Sequence, residues 1–174
     1  MKIVFIADED QEYGAAKSLF ELVTCLTNYY HIKSIVLTCN YGTLNRKLTA
    51  MNIENHVTGH LPFLIGEGST KLKKFLKKYF KLLFYIRYRI KNWIALKKVK
   101  HLIDFANVDL IYTNVNRIDF GATLSKKYNI PHIWHIREFG DIDYKLFSLR
   151  KNFIEYMNNN TNLFIAISKA VEKA

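Results

Sequence analysis

The segment IPHIWHIREFGD, residues 130–141, concentrates side chains that could take part in chemistry. A short apolar run after Pro131 predicts a buried strand, and two histidines lie within it. His132 and His135 are three residues apart, so a regular strand places them on opposite faces. They cannot both bind one metal ion from that geometry, and no third ligand is evident, so we expect no metal site. We interpret His132, which begins the strand, as structural or exposed.

His135 lies at the end of this predicted strand, and Arg137 and Glu138 follow it closely. Ligands bind at the carboxyl ends of the strands in open α/β sheets. A histidine can exchange hydrogen bonds with sugar hydroxyls, an arginine can pair with a phosphate, and a glutamate can orient either group. The spacing alone leaves a second interpretation open, in which a polar loop caps the strand and carries a surface Arg–Glu pair.

A second candidate lies in the segment DEDQEYGAAKSLFEL, residues 8–22, which follows the first predicted strand. Gly14 opens a helix there, so backbone N–H groups and the helix dipole lie at the carboxyl end of the sheet. That geometry suits a phosphate or a polyol. One glycine is far short of a dinucleotide-binding or P-loop motif, so an ordinary strand–helix turn remains the alternative.

Strands and helices alternate along the chain and predict the elements that position these residues. Continuous apolar, β-branched runs predict strands buried on both faces, and apolar residues at helical spacing separate them. The predicted strands are 2–7, 33–39, 53–57, 108–114, 131–136 and 162–168. Three helices are predicted at 15–30, 42–52 and 117–129. A further helix contains Leu146, Phe147, Phe153, Ile154 and Met157, and a last one opens at Ser168. This alternation predicts βαβ units and a parallel sheet. We therefore expect an α/β fold, a single Rossmann-like three-layer domain over residues 1–174 with a mostly parallel sheet. Because the last helix is cut in mid-pattern, we also expect the chain to be a fragment of a longer protein.

The charge of the chain is concentrated in one segment. The net charge is +11, yet residues 71–100 hold 12 Lys/Arg and no acid, which leaves 14 basic and 15 acidic residues elsewhere. Residues 69–106 contain no Gly or Pro and carry apolar residues at a spacing of three to four, which predicts two helices or one kinked helix. The apolar positions are Leu72, Phe75, Leu76, Tyr79, Leu83, Ile86, Ile90, Trp93 and Ile94.

Three interpretations of this basic segment compete: a surface helix packed on the sheet, a helix attracted to an anionic membrane, and a nucleic-acid patch. We expect part of the apolar face to pack against the core. The lack of any acid favours an additional attraction to anionic lipid, whereas no nucleic-acid-binding motif accompanies the charge. The residues that we assign to a membrane surface are Lys73, Lys74, Lys77, Lys78, Lys81, Arg87 and Arg89. The apolar stretch at the N-terminus is too short for a signal peptide, so we expect a cytoplasmic protein, peripheral at the inner face of the cell membrane.

Three motifs occur in order: EYGAAKSLFELVTCL after the first strand, YNIPHIWHIREF in mid-sheet and NLFIAISKAVEKA at the end. Together they resemble the N-terminal domain of GT-B glycosyltransferases of family 4, the bacterial capsule, lipopolysaccharide and mannosyl transferase group. The resemblance covers nearly the whole chain. It implies the N-terminal half of a two-domain GT-B enzyme that transfers a sugar from a nucleotide-sugar donor, with retention and without an essential metal. It also implies a role in the synthesis of cell-surface polysaccharide.

In that family the N-terminal domain binds the acceptor and a C-terminal domain holds the donor. The donor domain is expected to be absent from this chain, so the chain should not transfer sugar by itself. Gly14 with Tyr13 and Ala15 matches the family's glycine loop, although Tyr13 replaces one glycine of its usual pair. His135 matches the active-site histidine, and Ser168 matches the serine before the interdomain linker.

The resemblance and the spacing together give the predicted site. His135 is the catalytic candidate, in a hydrogen-bonding and positioning role before a general-base role. The substrate-binding candidates are Tyr13, Gly14, Ala15, Lys17, Asn114, Arg137 and Glu138. The implied partners are a free or lipid-linked sugar acceptor, an anionic membrane surface and the protein's own donor domain, with a nucleotide-sugar as substrate and no metal. The alternative is a non-catalytic Rossmann-like module whose basic helix binds nucleic acid or a protein.

Overall fold

The computed structural model describes residues 1–8, 14–66, 80–137 and 146–173. Six residues with predicted roles lie outside these ranges: Tyr13, Glu138, Lys73, Lys74, Lys77 and Lys78. The described strands are β1 (Lys2–Ile6), β2 (Lys33–Thr38), β3 (Glu54–Val57), β4 (Leu64–Gly66), β5 (Leu110–Thr113), β6 (His132–Ile136), β7 (Leu146–Ser148) and β8 (Leu163–Ala166). The helices are α1 (Ala15–Tyr30), α2 (Thr43–Ala50), α3 (Lys81–Leu102), α4 (Phe120–Tyr128), α5 (Phe153–Asn159) and α6 (Lys169–Glu172), with a 3-10 turn at Phe105–Asn107.

Six strands form one parallel sheet in the order β3-β2-β1-β5-β6-β8. Side chains of β1 alternate between two hydrophobic clusters, with Phe5 in the one that α1 and α2 cover and Ile6 in the one that α3 and α4 cover. Burial on both faces explains why β1, β2 and β5 are continuous apolar runs in the sequence. The predicted α/β, Rossmann-like architecture in three layers with a parallel sheet is confirmed.

The order of the strands reverses between β1 and β5. From β1 the chain builds outward to β3, and it then returns to place β5 on the other side of β1. In such sheets the ligand crevice opens at the carboxyl ends of the two strands that flank the reversal. Gly14 follows β1 after the connecting loop, and Asn114 follows β5 directly. The sequence candidates therefore lie at the position that the topology favours for a ligand.

Two short strands were not predicted. β4 pairs antiparallel with β7, with Ile65 opposite Phe147, as a separate two-stranded sheet. The predicted helix is therefore wrong at Leu146 and Phe147, and the helical part, α5, begins only at Phe153. Three-residue strands show no periodicity of their own, and their pairing depends on a partner more than 80 positions away along the chain.

Helix α3 does not pack on the sheet through its most apolar side; another side of the helix is buried instead. Its buried residues are Tyr88, Asn92, Ala95 and Val99, whereas Leu83, Ile86, Ile90, Trp93 and Ile94 are exposed. The Asn92 amide accounts for part of this choice, because its Oδ1 accepts from the Leu61 N–H at 2.7 Å and its Nδ2 donates to the Leu61 carbonyl at 3.1 Å. We expected part of the predicted apolar face to pack against the core; these five of its positions do not, and the other four, Leu72, Phe75, Leu76 and Tyr79, lie outside the described residues.

A buried carboxylate joins three segments behind the sheet. Tyr88 of α3 and Arg150, which follows β7, both donate hydrogen bonds to Asp119 Oδ2 at the start of α4. The Arg150 guanidinium also lies over the Tyr156 ring, 3.9 Å from its centroid. Burial raises the pKa of Asp119, and the Arg150 cation and the two hydrogen bonds act against that rise. This cluster ties α3, α4 and the β4–β7 pair into one body.

Candidate functional site

Gly14 begins α1 in a conformation that favours glycine. Its φ is 62° and its ψ is −109°, although a Cβ there would meet nothing within 4 Å. The requirement is therefore one of backbone conformation, because side chains strain this region of φ. No side chain caps the helix at Gly14. The N–H groups of the first turn have no partner within the helix, so this helix start can accept an anionic or hydroxyl-bearing ligand.

Arg137 connects the ends of β5 and β6 to the start of α1. Its Nε donates to the Asn114 carbonyl at 3.0 Å and to Asn114 Oδ1 at 3.1 Å, and a terminal nitrogen donates to Ser18 Oγ at 3.2 Å. Asn114 is only 2% exposed, and its Nδ2 donates to the Ala15 carbonyl at 2.9 Å. The structure thus brings together four of the predicted residues, Gly14, Ala15, Asn114 and Arg137. Both the Nδ2 and the Oδ1 atom of Asn114 therefore have a partner within the protein itself.

His135 is part of the same network through Tyr112. Tyr112 Oη lies 2.5 Å from His135 Nδ1, and the Arg137 cation is close enough to act on the pKa of Tyr112. Burial raises the pKa of Tyr112, with Arg137 acting against that rise, so the phenol keeps its proton. A largely buried phenol that keeps its proton needs an acceptor, and His135 Nδ1 is the acceptor recorded beside it among the described residues, so we infer that the Tyr112 hydroxyl donates to His135 Nδ1. The proton of the imidazole then resides on Nε2.

The Nε2 atom of His135 is buried and has no hydrogen-bond partner among the described residues. Burial, and then the nearby Arg137 cation, lower the pKa of His135 to about 4. The ring is therefore neutral at pH 7 and a poor proton acceptor, but its Nε2–H is a good hydrogen-bond donor. An unsatisfied buried donor costs free energy unless a ligand supplies its partner.

His132 lies on the other face of β6. Its Nε2 is 2.8 Å from Thr113 Oγ1 and its Nδ1 is 3.0 Å from the Asn160 carbonyl. The ring is fully buried, and burial lowers its pKa to about 4. Gly121 of α4 packs against this pair so closely that a Cβ would lie 2.0 Å from Thr113 Oγ1. His132 therefore links β6 to Thr113 of β5 and to the Asn160 carbonyl that follows α5, which is a structural role.

Other predicted residues lie apart from this network. The Lys17 side chain is 71% exposed, and its Nζ is 4.0 Å from Glu21 Oε1 along the surface of α1. Lys81, Arg87 and Arg89 are exposed on α3. None of them has a contact with His135 or Arg137 that the described part of the structure records.

Sequence reasoning missed three residues at this edge. Ser18 and Tyr112 read as ordinary helix and strand residues, although a tyrosine within a buried strand needs a partner for its hydroxyl, and that need is a usable signal. The third is His60, fully buried beside the same end of β1. Its Nδ1 is 2.6 Å from Thr58 Oγ1 and its Nε2 is 3.2 Å from the Ala7 carbonyl. Burial lowers the pKa of His60 to about 4.

A cleft of about 810 Å³ lies at the opposite, amino edge of the sheet. Its walls are mainly polar and include Lys126, Asn129, Lys151, Asn152, Asn160 and Asn162. None of the predicted site residues lines it, and the amino ends of parallel strands are not where ligands of such sheets bind. We therefore place the candidate site at the carboxyl edge.

Residues 1–8, 14–66, 80–137 and 146–173 contain no group of three or more His, Cys, Asp or Glu side chains arranged to hold a metal ion. Within the same ranges, no helix has the length and apolar character needed to cross a bilayer.

Several solved structures share this fold. Anabaena Alr3699/HepE, in a crystal structure with UDP-glucose, matches this chain over 99% of this chain and 39% of its own, with a TM-score of 0.63 and 19% identity. A glycosyltransferase from Rickettsia africae matches 99% of this chain and 38% of its own, with a TM-score of 0.56 and 16% identity. Acinetobacter baumannii MurG matches 98% of this chain and 42% of its own, with a TM-score of 0.53 and 12% identity. No protein-family model matches the chain, and no curated protein matches it in sequence.

These likenesses assign the fold. The chain has the Rossmann-like fold of GT-B glycosyltransferases, consistent with the N-terminal domain of such an enzyme, and the recognition made from the three sequence motifs is confirmed at that level. The chain spans about two fifths of the length of the structures that it matches.

Proposed function

We propose that this chain is the acceptor-binding domain of a glycosyltransferase that moves a hexose from a nucleotide-sugar donor to a free or lipid-linked saccharide, with retention, in the synthesis of cell-surface polysaccharide. A second domain of the same protein supplies the donor site. One observation carries the proposal: the fold match to glycosyltransferases extends over 98–99% of the chain. The network from Gly14 to His135 at the carboxyl edge supports the position of the site.

The side chains of this network have distinct roles under the proposal. His135 donates its Nε2–H to a hydroxyl of the bound sugar, because its lowered pKa makes it a hydrogen-bond donor and not a base. Tyr112 holds the ring in the required tautomer. Asn114 and Arg137 position the start of α1, whose free N–H groups meet the donor diphosphate or an acceptor hydroxyl. Arg137 also places a positive charge near that point.

The test uses the full-length gene product that contains this chain. The protein is incubated with a panel of nucleotide-sugars and with free and polyprenyl-linked saccharides, and nucleotide release and product formation are measured. Transfer from at least one donor is expected. Tight binding of a ligand without turnover by any pair would contradict the enzyme proposal and favour a binding module.

The role of His135 is tested in the same assay. His135→Ala removes one donor aimed at the sugar, so kcat/KM is expected to fall about 100-fold. His101→Ala is the matched control, because His101 is exposed at the far end of α3, and its activity should stay within about twofold of the parent. Near-normal turnover by a folded His135→Ala protein would remove His135 from the site without affecting the proposed reaction.

Retention is tested on the product itself. The anomeric configuration of the newly formed linkage, measured by NMR, should equal that of the donor sugar. An inverted linkage would reject the retaining mechanism and would call for a protein base that the neutral, hydrogen-bonded His135 is poorly suited to provide.

A further inference from the structure

Helix α3 carries two apolar stripes on opposite sides. The inner stripe, Tyr88, Asn92, Ala95 and Val99, is buried. The outer stripe, Leu83, Ile86, Ile90 and Trp93, repeats at the same alternating spacing of three and four residues, and each of its members is 43–59% exposed. At about 100° per residue, the offset of two positions between Tyr88 and Ile90 puts the stripes nearly half a turn apart. A surface helix of a soluble domain is expected to be polar on that outer side.

Positive charges flank the outer stripe on both sides. Arg87 and Lys91 lie along one flank, and Arg89 and Lys100 lie along the other, all exposed. Lys97 continues the stripe itself, with its Nζ 3.7 Å from the centroid of the Trp93 ring. No acidic residue occurs anywhere on α3. Lys98 is not part of the flanks, because its Nζ donates to the Val57 carbonyl at 2.6 Å.

We propose that the outer stripe of α3 docks on an anionic lipid surface. The helix lies in the plane of the interface with Leu83, Ile86, Ile90 and Trp93 in the acyl boundary. The two cationic flanks contact the phosphate groups of the lipids. Tryptophan is well suited to this depth, since its ring is largely apolar and its N–H can reach water. The inner stripe holds the helix to the sheet at the same time, so docking needs no unfolding.

The charge pattern favours a lipid surface over the other occupants. In a two-fold dimer through this stripe, Arg87 and Lys91 would face cationic residues of the second copy, and the like charges would repel. Nucleic acid would neutralise the flanks but would leave four large apolar side chains in contact with a phosphate backbone. An anionic bilayer satisfies both parts of the pattern. The inference does not depend on the proposed transfer reaction, since it rests on α3 alone.

Trp93 provides an intrinsic reporter of docking. The chain has two tryptophans, and the other, Trp134, is fully buried with its Nε1 bound to the Val115 carbonyl at 2.8 Å. The chain is mixed with phosphatidylcholine vesicles that contain or lack phosphatidylglycerol, at low and high salt. Co-sedimentation and a blue shift of tryptophan emission are expected with the anionic vesicles at low salt, and both should weaken at high salt.

Matched variants separate the two parts of the surface. Ile90→Ser should lower vesicle affinity about tenfold, whereas Ile154→Ser, at a comparably exposed isoleucine on α5, should change it less than about twofold. Arg87→Gln with Lys91→Gln should lower affinity on the order of 30-fold, since each basic residue near an anionic surface contributes about fivefold. Lys33→Gln with Lys47→Gln removes the same charge elsewhere and should have a much smaller effect.

Four results would overturn the proposal: equal binding to neutral and anionic vesicles, co-sedimentation without any change in Trp93 emission, equal losses in a variant and its matched control, or a solution dimer that Ile90→Ser dissociates. The last result would assign the stripe to a second copy of the chain. All four are obtained without donor or acceptor, so they leave the transfer reaction to its own test.

Discussion

Tyr112 Oη lies 2.5 Å from His135 Nδ1, and this contact leaves Nε2 as the ring nitrogen of His135 without a hydrogen-bond partner among the described residues. The phenol lies beside the Arg137 cation and keeps its proton, because burial raises its pKa against the effect of that cation. The histidine is therefore one end of a relay that begins at a guanidinium held by Asn114 and Ser18. Its chemistry depends on residues of α1, β5 and β6 together.

The relay predicts the tautomer of His135. Long-range ¹H–¹⁵N spectra at pH 7 should show a neutral ring protonated at Nε2, and Tyr112→Phe should convert it to a mixture of tautomers. His132 is the internal control, because it lies on the opposite face of β6 and its signals should not change. A ring protonated at Nδ1 in the parent protein, or a charged ring at pH 7, would contradict the relay.

Three histidines with a lowered pKa predict how stability depends on pH: the fully buried His60 and His132 dominate, and the half-buried His135 acts in the same direction. Burial lowers the pKa of both His60 and His132 to about 4, below the value of about 6.5 in the unfolded chain. Between pH 4 and about 6.5 these histidines bind protons in the unfolded state but not in the folded state. Stability therefore falls as the pH is lowered from about 6.5 to 4. His60 and His132 should each contribute on the order of 3 kcal/mol to that fall. Urea unfolding at several pH values measures it.

In the same experiment the titration of Asp119 has the opposite effect on stability, and a histidine variant serves as the control. Burial raises the pKa of Asp119, and a raised carboxyl pKa gives the opposite slope, in which stability is gained as the pH falls through that pKa. His132→Asn isolates one histidine, since it should flatten the loss between pH 6.5 and 4 while leaving the Asp119 contribution in place. An unchanged profile in this variant would mean that His132 does not titrate as its burial implies.

The buried ion pair predicts a large stability effect. Asp119→Asn leaves the Arg150 guanidinium without its counter-charge, so the free energy of unfolding should fall by about 3 kcal/mol. Glu21→Gln is the control, because the Lys17–Glu21 pair is exposed and 4.0 Å apart, and its loss should cost less than about 0.5 kcal/mol. Similar losses in both variants, measured by urea unfolding, would show that the buried carboxylate is not a structural joint.

The close approach of α4 to the sheet predicts that Gly121→Ala destabilises the fold. The new Cβ would lie 2.0 Å from Thr113 Oγ1 and 3.1 Å from His132 Nε2. Overpacking of this kind costs about 1–3 kcal/mol and outweighs the gain of about 1 kcal/mol from the better helix former. Gly66→Ala, where a Cβ meets nothing within 4 Å, should leave thermal stability nearly unchanged. A stabilised Gly121→Ala protein would refute the packing described for α4.

All six strands of the parallel sheet were predicted, and the clearest were β1, β2 and β5, because strands buried on both faces are continuous apolar runs in the sequence. β4 and β7 were not, since three residues carry no period and their pairing is purely tertiary. Helix α3 shows a different limit. Its most apolar stripe was visible in the sequence, but side chains such as Asn92 and Ala95 determine which side packs, through contacts with Leu61 and the sheet.

The candidate site was likewise predictable from the sequence only in part. The rule that ligands bind at the carboxyl ends of strands, together with the family resemblance, proposed Gly14, Asn114, His135 and Arg137 as candidates at one edge of the sheet. The rule does not say what each side chain contacts. The engagement of the Asn114 amide with Ala15 and Arg137, and the pairing of Tyr112 with His135, arise only when distant segments meet.

The hydrogen bond between Ser18 and Arg137 joins residues that are 119 positions apart. The site is therefore complete only when α1, β5 and β6 have all assembled in the sheet. Closing a chain segment of this length costs entropy that the contacts must repay. A ligand bound at this point would therefore bind only the completed sheet, and by mass action it would raise the free energy of unfolding of the whole domain. Occupancy of the site should thus be measurable as protection of segments far from it, including the amide protons of β2.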